Sequence, residues 1–149
     1  MDLSYQEKSI LGALLATVVV YGYYFARALR DVQPDFGGRS ISRLVFTVVA
    51  IVVIQVVYQI VLALESGVEP KDERDILIEL KAYRNGYFLL ATGAFMVIAC
   101  VIAGALVRDA APTRIIVTPF LVVNLMLLFM VLAELAKLTT QLFYYRKGL

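Results

Sequence analysis

The stretch LVFTVVAIVVIQVVYQIVLAL, from Leu44 to Leu64, contains no charged residue. Its length matches the roughly 20 residues that a helix needs to cross the hydrocarbon core of a bilayer. Because lipid offers the backbone no hydrogen-bond partners, such a run crosses the membrane as a helix. Three further runs are similarly long and apolar, at about residues 9–26, 86–107 and 115–135. The sequence therefore predicts a single all-α domain over residues 1–149, a polytopic membrane protein with four transmembrane helices.

The composition excludes several classes of function. Hydrophobic residues make up 61% of the chain and charged residues 17%, against roughly 25% charged residues in soluble proteins. Histidine is absent and Cys100 is the only cysteine, which excludes a histidine-ligated metal, a cysteine metal cluster and an intrachain disulfide. No phosphate-binding loop, nucleophile elbow or dinucleotide fingerprint is present in the sequence. We therefore expect no enzyme activity and no cofactor, and the net charge of +2 predicts no nucleic-acid binding.

The distribution of basic residues bears on the orientation in the membrane. Four spans place both termini on one side, which carries seven lysines and arginines against six on the other side, leaving out Lys137 beside the fourth span. This difference is small for the positive-inside rule. The aromatic and basic tail YYRKGL, residues 144–149, favours cytoplasmic termini in a prokaryotic inner membrane. The four arginines between Arg27 and Arg43 favour the opposite orientation.

The most densely charged segment, PKDERDILIELKAYR from Pro70 to Arg84, comes just before the third span. On a helical wheel of about 100° per residue, its apolar side chains form a stripe with acids along one edge and bases along the other. We expect an amphipathic helix over residues 70–84 that continues into the third span as one helix from Pro70 to Val107. Its first turns would project from the membrane. The residues predicted to form a contact surface are Asp72, Arg74, Asp75, Ile76, Glu79, Leu80, Lys81, Tyr83 and Arg84.

This amphipathic pattern has more than one interpretation. A helix that contacts a protein and a helix that lies on lipid headgroups share it. A cation site at Asp72, Asp75 and Glu79 is a third alternative, since carboxylates are ligands for hard cations.

A resemblance bears on the same segment. DERDILIELKAYRNGYF, residues 72–88, together with the ending FYYRKGL, residues 143–149, resembles an uncharacterised family of small predicted membrane proteins of bacteria and archaea, catalogued as a domain of unknown function. Members of that family carry an Asp-Glu-Arg-rich segment before the third span and a basic tail. The resemblance implies a four-span prokaryotic membrane protein and no particular activity.

Small residues recur along the third span. Small side chains about one or two turns apart allow two helix backbones to approach closely in a membrane. The seam packs either against another span of the same chain or against a second copy. We expect the first arrangement, because the four spans must pack among themselves. The predicted seam residues are Gly86, Gly93, Cys100 and Gly104.

Polar side chains are few within the predicted spans. Interhelical hydrogen bonds that fix the register of neighbouring helices are their expected role. Glu134 is the one acid inside a predicted span, and intramembrane acids are candidates for proton coupling. We expect it instead to form an ion pair with Lys137, one turn further on. The candidate intramembrane polar residues are Gln55, Gln59, Asn124, Glu134 and Lys137.

A weak internal similarity relates the two halves of the chain. Residues 5–31 align with residues 83–109 without gaps, and seven positions are identical. This alignment indicates a parallel repeat of two helical hairpins.

Two functions are compatible with these features. The first is a non-enzymatic integral membrane protein that acts by protein–protein contact, either as a regulatory or accessory subunit or by self-association. Its partners would be the lipid bilayer and either a second copy, as a homodimer, or a membrane or cytoplasmic protein. The alternative is a small oligomeric transporter or channel with a polar path formed by Gln55, Gln59, Asn124 and Glu134.

Overall fold

The computed structural model describes residues 4–28, 38–66, 72–110 and 117–147. Four helices account for nearly all of these residues: α1 (Tyr5–Ala28), α2 (Gly38–Ser66), α3 (Glu73–Ala110) and α4 (Pro119–Lys147). Each helix is long and apolar enough to cross a membrane. The predicted fold class, an all-α protein with four membrane-spanning helices, is confirmed.

Helix α3 has 38 residues and is therefore about 57 Å long at 1.5 Å per residue. A bilayer's hydrocarbon core is only about 30 Å thick, so α3 is much longer than a perpendicular crossing requires. The segment 73–84 is helical, as the charge pattern predicted. Pro70, the predicted first residue, lies outside the described residues.

Acidic side chains determine where α3 begins. The backbone N–H of Asp75 donates to Oδ1 of Asp72 at 2.7 Å, and the N–H of Asp72 donates to Oδ2 of Asp75 at 3.2 Å. This reciprocal pair satisfies two backbone donors that have no partner inside the helix. Ser4 and Glu7 form the same arrangement at the start of α1. Two acids of the charged segment therefore have a structural role at the helix start.

The helices pack in the order α2–α1–α4–α3. Helix α1 packs against both α2 and α4, and α3 packs against α4. In the described residues α2 and α3 do not contact each other. Two repeats related by a twofold axis would pair α2 with α3 in the way that α1 pairs with α4. The two hairpins are therefore arranged asymmetrically, and the sequence repeat stays a prediction.

Two glycines of the predicted seam face α4, and the third faces a residue just before α4. A Cβ atom added at Gly86 would lie 3.0 Å from the carbonyl oxygen of Ala133, and one added at Gly93 would collide with the ring of Phe129. Gly104 is buried and faces Val117 in the same manner. The fourth seam residue, Cys100, is exposed. Three of the four seam residues thus pack inside the bundle.

Most large apolar side chains point away from the bundle. Tyr24, Leu127 and Val131 form a small buried cluster between α1 and α4. By contrast, apolar side chains along α2, Phe46 and Val49 among them, are more than half exposed. Such a surface suits a bilayer, because lipid tails are as apolar as leucine side chains and cover them without penalty.

Candidate functional site

All four helices line one cleft, which we call the terminal cleft, at the end of the bundle where α1 and α3 begin. Its volume is about 540 Å³, within the roughly 300–1,000 Å³ of typical small-molecule sites. Every helix contributes polar groups to it. The polar lining residues are Gln6, Ser9, Gln55, Gln59, Asp75, Glu79, Tyr83, Glu134, Lys137, Gln141 and Tyr145.

Hydrogen bonds between α1 and α2 shape one wall of the terminal cleft. The side-chain amide of Gln59 donates to Oγ of Ser9 at 2.8 Å, and the Ser9 hydroxyl lies 3.1 Å from Oε1 of Gln59. Gln55 donates to the buried hydroxyl of Thr17 at 3.2 Å. The Tyr58 hydroxyl donates to the backbone carbonyl of Lys8 at 2.7 Å. These bonds fix the register of α1 against α2 and hold both glutamines at the cleft wall.

The opposite wall joins the start of α3 to the end of α4. The Tyr145 hydroxyl donates to Oδ1 of Asp75 at 2.8 Å. The Lys81 ammonium lies 5.1 Å from the ring centroid of Tyr144, within the range of a cation–π interaction. Asp75 and Glu79 are half-buried and line the cleft. Two acids of the amphipathic segment therefore face the terminal cleft.

Glu134 and Lys137 form the ion pair that their spacing predicts. The Lys137 ammonium lies 2.6 Å from Oε1 of Glu134, and their side chains are 18% and 41% exposed, respectively. The same ammonium lies 5.2 Å from the ring centroid of Tyr83 on α3. Lys137 thus connects α4 to α3 as well as neutralising Glu134.

The terminal cleft carries a net negative charge. Three carboxylates, from Asp75, Glu79 and Glu134, line it together with one ammonium, from Lys137, which leaves a charge of −2. Within the described residues no group of three metal-ligating side chains comes together, so the sequence alternative of a cation site at Asp72, Asp75 and Glu79 finds no support there. A cleft lined mainly by one sign of charge attracts ions of the opposite sign, which here are cations.

The structure separates the predicted intramembrane polar residues into two places. Gln55, Gln59, Glu134 and Lys137 all line the terminal cleft. Asn124 lies elsewhere on α4, where its Oδ1 accepts a 2.8 Å hydrogen bond from the Tyr24 hydroxyl and its amide donates to the carbonyl of Phe120. The four residues proposed as a polar path therefore do not form one continuous group.

The predicted contact surface is also divided. Asp72, Arg74, Ile76, Leu80, Tyr83 and Arg84 are exposed, whereas Asp75, Glu79 and Lys81 are half-buried. The exposed apolar residues remain available to lipid or protein. Asp75 and Glu79, two acids of this predicted surface, lie on the wall of the terminal cleft instead.

Sequence reasoning missed part of the terminal cleft. Gln6, Ser9, Gln141 and Tyr145 lie at or beyond the ends of the predicted spans, where polar side chains are ordinary. A signal was present in the helical wheel of α3. Asp75 and Gly93 are 18 residues apart, which is five turns at 3.6 residues per turn, so the acids share a face with the glycine seam. Because the glycine seam is predicted to pack against another span, the shared face predicts that these acids also point toward that span.

Comparison with models of known protein families found no match, and neither did comparison with curated proteins or with solved structures. The family resemblance of residues 72–88 stays a prediction. The four helices support a multi-pass membrane protein.

Proposed function

We propose that the protein is a small, non-enzymatic membrane transporter that binds an organic cation in the terminal cleft. The observation that carries this proposal is the cleft itself, an acidic cavity of about 540 Å³ to which all four helices contribute. Transporter sites commonly lie between repeated or paired helical elements. Here the cleft lies between the two hairpins.

The cleft lining suits an amphipathic cation. Glu79 and Asp75 supply negative charge, and a carboxylate has about four lone-pair sites, so Asp75 can still accept a hydrogen bond beside those from Asp72 and Tyr145. The ring of Tyr83, which the Lys137 ammonium already contacts, adds aromatic surface to the cleft. Ile10 and Leu138 supply apolar contact on the same cleft. Charge and apolar surface are therefore both available to one ligand.

The packing order of the helices gives the ligand a path from the side. Helices α2 and α3 both line the cleft but do not contact each other in the described residues. The cleft lining includes the exposed residues Val56 and Ile60 on α2 and Tyr83 on α3. Through this gap an amphipathic solute would enter the cleft from the bilayer, between α2 and α3.

A pair of ions with the same shape and opposite charge tests the proposal. Equilibrium dialysis of the protein in nanodiscs should show saturable binding of tetraphenylphosphonium and no saturable binding of tetraphenylborate. Glu79→Gln should weaken tetraphenylphosphonium binding about tenfold. Glu73→Gln is the matched control, because Glu73 is exposed on the same helix and does not line the cleft.

Two results would contradict the proposed site. One is equal binding of the two ions, and the other is unchanged affinity in Glu79→Gln. Uptake of tetraphenylphosphonium into liposomes that contain only this protein then tests transport. Saturable binding without uptake would indicate that the protein binds the cation and does not transport it.

A second candidate function, protein contact through α3, is favoured by the exposure of its first turns. Ile76 and Leu80 are 48% and 61% exposed ahead of the predicted third span. Under this candidate, Leu80→Gln should lower the oligomer mass in detergent or release a co-purified partner. Leu64→Gln is the control, since Leu64 is 81% exposed at the same end of the bundle. If the two variants have the same oligomer mass and the same co-purified proteins, the exposed apolar face at the start of α3 contacts only lipid.

A further inference from the structure

A second cavity lies between α1 and α2 at the end of the bundle opposite the terminal cleft. We call it the arginine pocket, and its volume is about 430 Å³. Arg27, on the last turn of α1, and Arg43, near the start of α2, both line it. The proposed transport function uses none of its residues.

The arginine pocket combines positive charge with an apolar wall. The Arg27 guanidinium lies over the Tyr23 ring, 5.0 Å from its centroid, within the range of a cation–π interaction. Among the described residues that line the pocket none is acidic, and Val19, Phe46 and Ala50 form apolar parts of it. Two guanidiniums from two helices therefore line one cavity whose other described residues are aromatic or apolar, except for Thr47.

The two arginines lie beside the ends of two predicted spans. The first predicted span ends at Ala26 and the second begins at Leu44, so we expect Arg27 and Arg43 near the boundary of the hydrocarbon core, at the level of lipid phosphates. Phe46 is 74% exposed and lies one helical turn deeper than Arg43. The sequence from residue 27 to residue 43 carries four arginines and two aspartates, a net charge of +2. An anionic headgroup is therefore favoured at this end.

From this geometry we propose that the arginine pocket binds one anionic phospholipid. Arg27 and Arg43 hold the phosphate, since a guanidinium donates two parallel hydrogen bonds to phosphate oxygens. An acyl chain lies along Val19, Phe46 and Ala50. Basic pockets between transmembrane helices are suited to anionic headgroups. The apolar wall distinguishes a lipid from free phosphate, which would leave that wall uncovered.

The test measures thermal unfolding of the full chain in neutral detergent with added lipid. Dioleoyl phosphatidylglycerol should raise the midpoint saturably, while dioleoyl phosphatidylcholine, inorganic phosphate and glycerol phosphate should not. Arg27→Gln with Arg43→Gln should abolish the shift. Arg27→Lys with Arg43→Lys keeps the charge but loses bidentate donation, and should weaken the apparent affinity at least fivefold. Arg74→Gln with Arg84→Gln, two exposed arginines on α3, is the control and should keep the shift.

Several outcomes would overturn the proposal. A full shift in the double lysine variant would indicate a general attraction of positive charge for anionic lipid. A shift caused by inorganic phosphate alone would indicate an anion site without the lipid. Ala50→Leu narrows the apolar part and leaves both arginines in place, so unchanged phosphatidylglycerol affinity in this variant would exclude the acyl chain from the pocket.

Discussion

The Tyr145 hydroxyl donates a 2.8 Å hydrogen bond to Oδ1 of Asp75, a residue 70 positions earlier in the chain. The other carboxylate oxygen of Asp75 accepts the backbone N–H of Asp72. One carboxylate therefore caps the first turn of α3 and holds the last turns of α4. Because Asp75 also lines the terminal cleft, the same contact fixes the position of an acid in the proposed binding site.

Tyr145→Phe should remove this hydrogen bond while it keeps the size and shape of the aromatic ring. We expect a loss of about 1 kcal/mol in the free energy of unfolding, the usual net contribution of one hydrogen bond. Hydrogen exchange should accelerate at residues 73–80, where the cap holds α3. Tyr144→Phe is the control, because it keeps the aromatic ring that Lys81 contacts. Equal exchange rates in the two variants would mean that Asp75 does not depend on Tyr145.

Gly93→Ala should weaken the packing of α3 against α4. The added methyl group would collide with Phe129, and overpacking of this kind costs about 1–3 kcal/mol. Gly22→Ala is a matched control, since a Cβ atom there meets nothing within 4 Å, and it should be neutral or stabilising because alanine favours a helix over glycine. Unfolding in a denaturing detergent compares them. Equal stability would indicate that Phe129 moves aside without cost.

The pair Ser9 and Gln59 should couple in a double-mutant cycle. Hydrogen bonds between membrane helices contribute on average about 0.6 kcal/mol, and these two side chains are within hydrogen-bond distance in both directions. The cycle uses Ser9→Ala, Gln59→Leu and the double variant. Thr92→Ala replaces Ser9→Ala in the control cycle, because Thr92 donates to the carbonyl of Phe88 within its own helix. A coupling free energy near zero in the first cycle would show that other contacts set the register.

Glu134→Gln should destabilise the protein more than the double variant Glu134→Gln with Lys137→Met. The single change leaves the ammonium of Lys137, which is 18% exposed, without its carboxylate. The double change removes both charges. Because Glu134 is 41% exposed, we expect a difference of about 1 kcal/mol or less in the free energy of unfolding. If Glu134→Gln instead abolished a proton-coupled flux while the fold stayed intact, proton coupling would be the role of this acid.

Local features of the sequence predicted the helices and one ion pair. The run Leu44–Leu64 lies inside α2, and the i, i+3 spacing of Glu134 and Lys137 is a property of a single helix. The terminal cleft depends instead on the order in which the helices pack. A helical wheel of α3 shows an acidic edge and a basic edge, but it contains no information about which edge packs against α4. Tyr145 joins the site only because α4 continues well past its apolar run.

Among the described helices, α1 and α4 make the one connection between the two hairpins, which has a consequence for biogenesis. Helix α4 is the last of these four helices to be synthesised, so a nascent chain with only α1, α2 and α3 inserted has no contact between α3 and the first hairpin. At that stage the glycine face of α3 lacks Phe129 and is available to helices of other membrane proteins. The period between insertion of α3 and insertion of α4 is therefore when this chain is most exposed to mispairing.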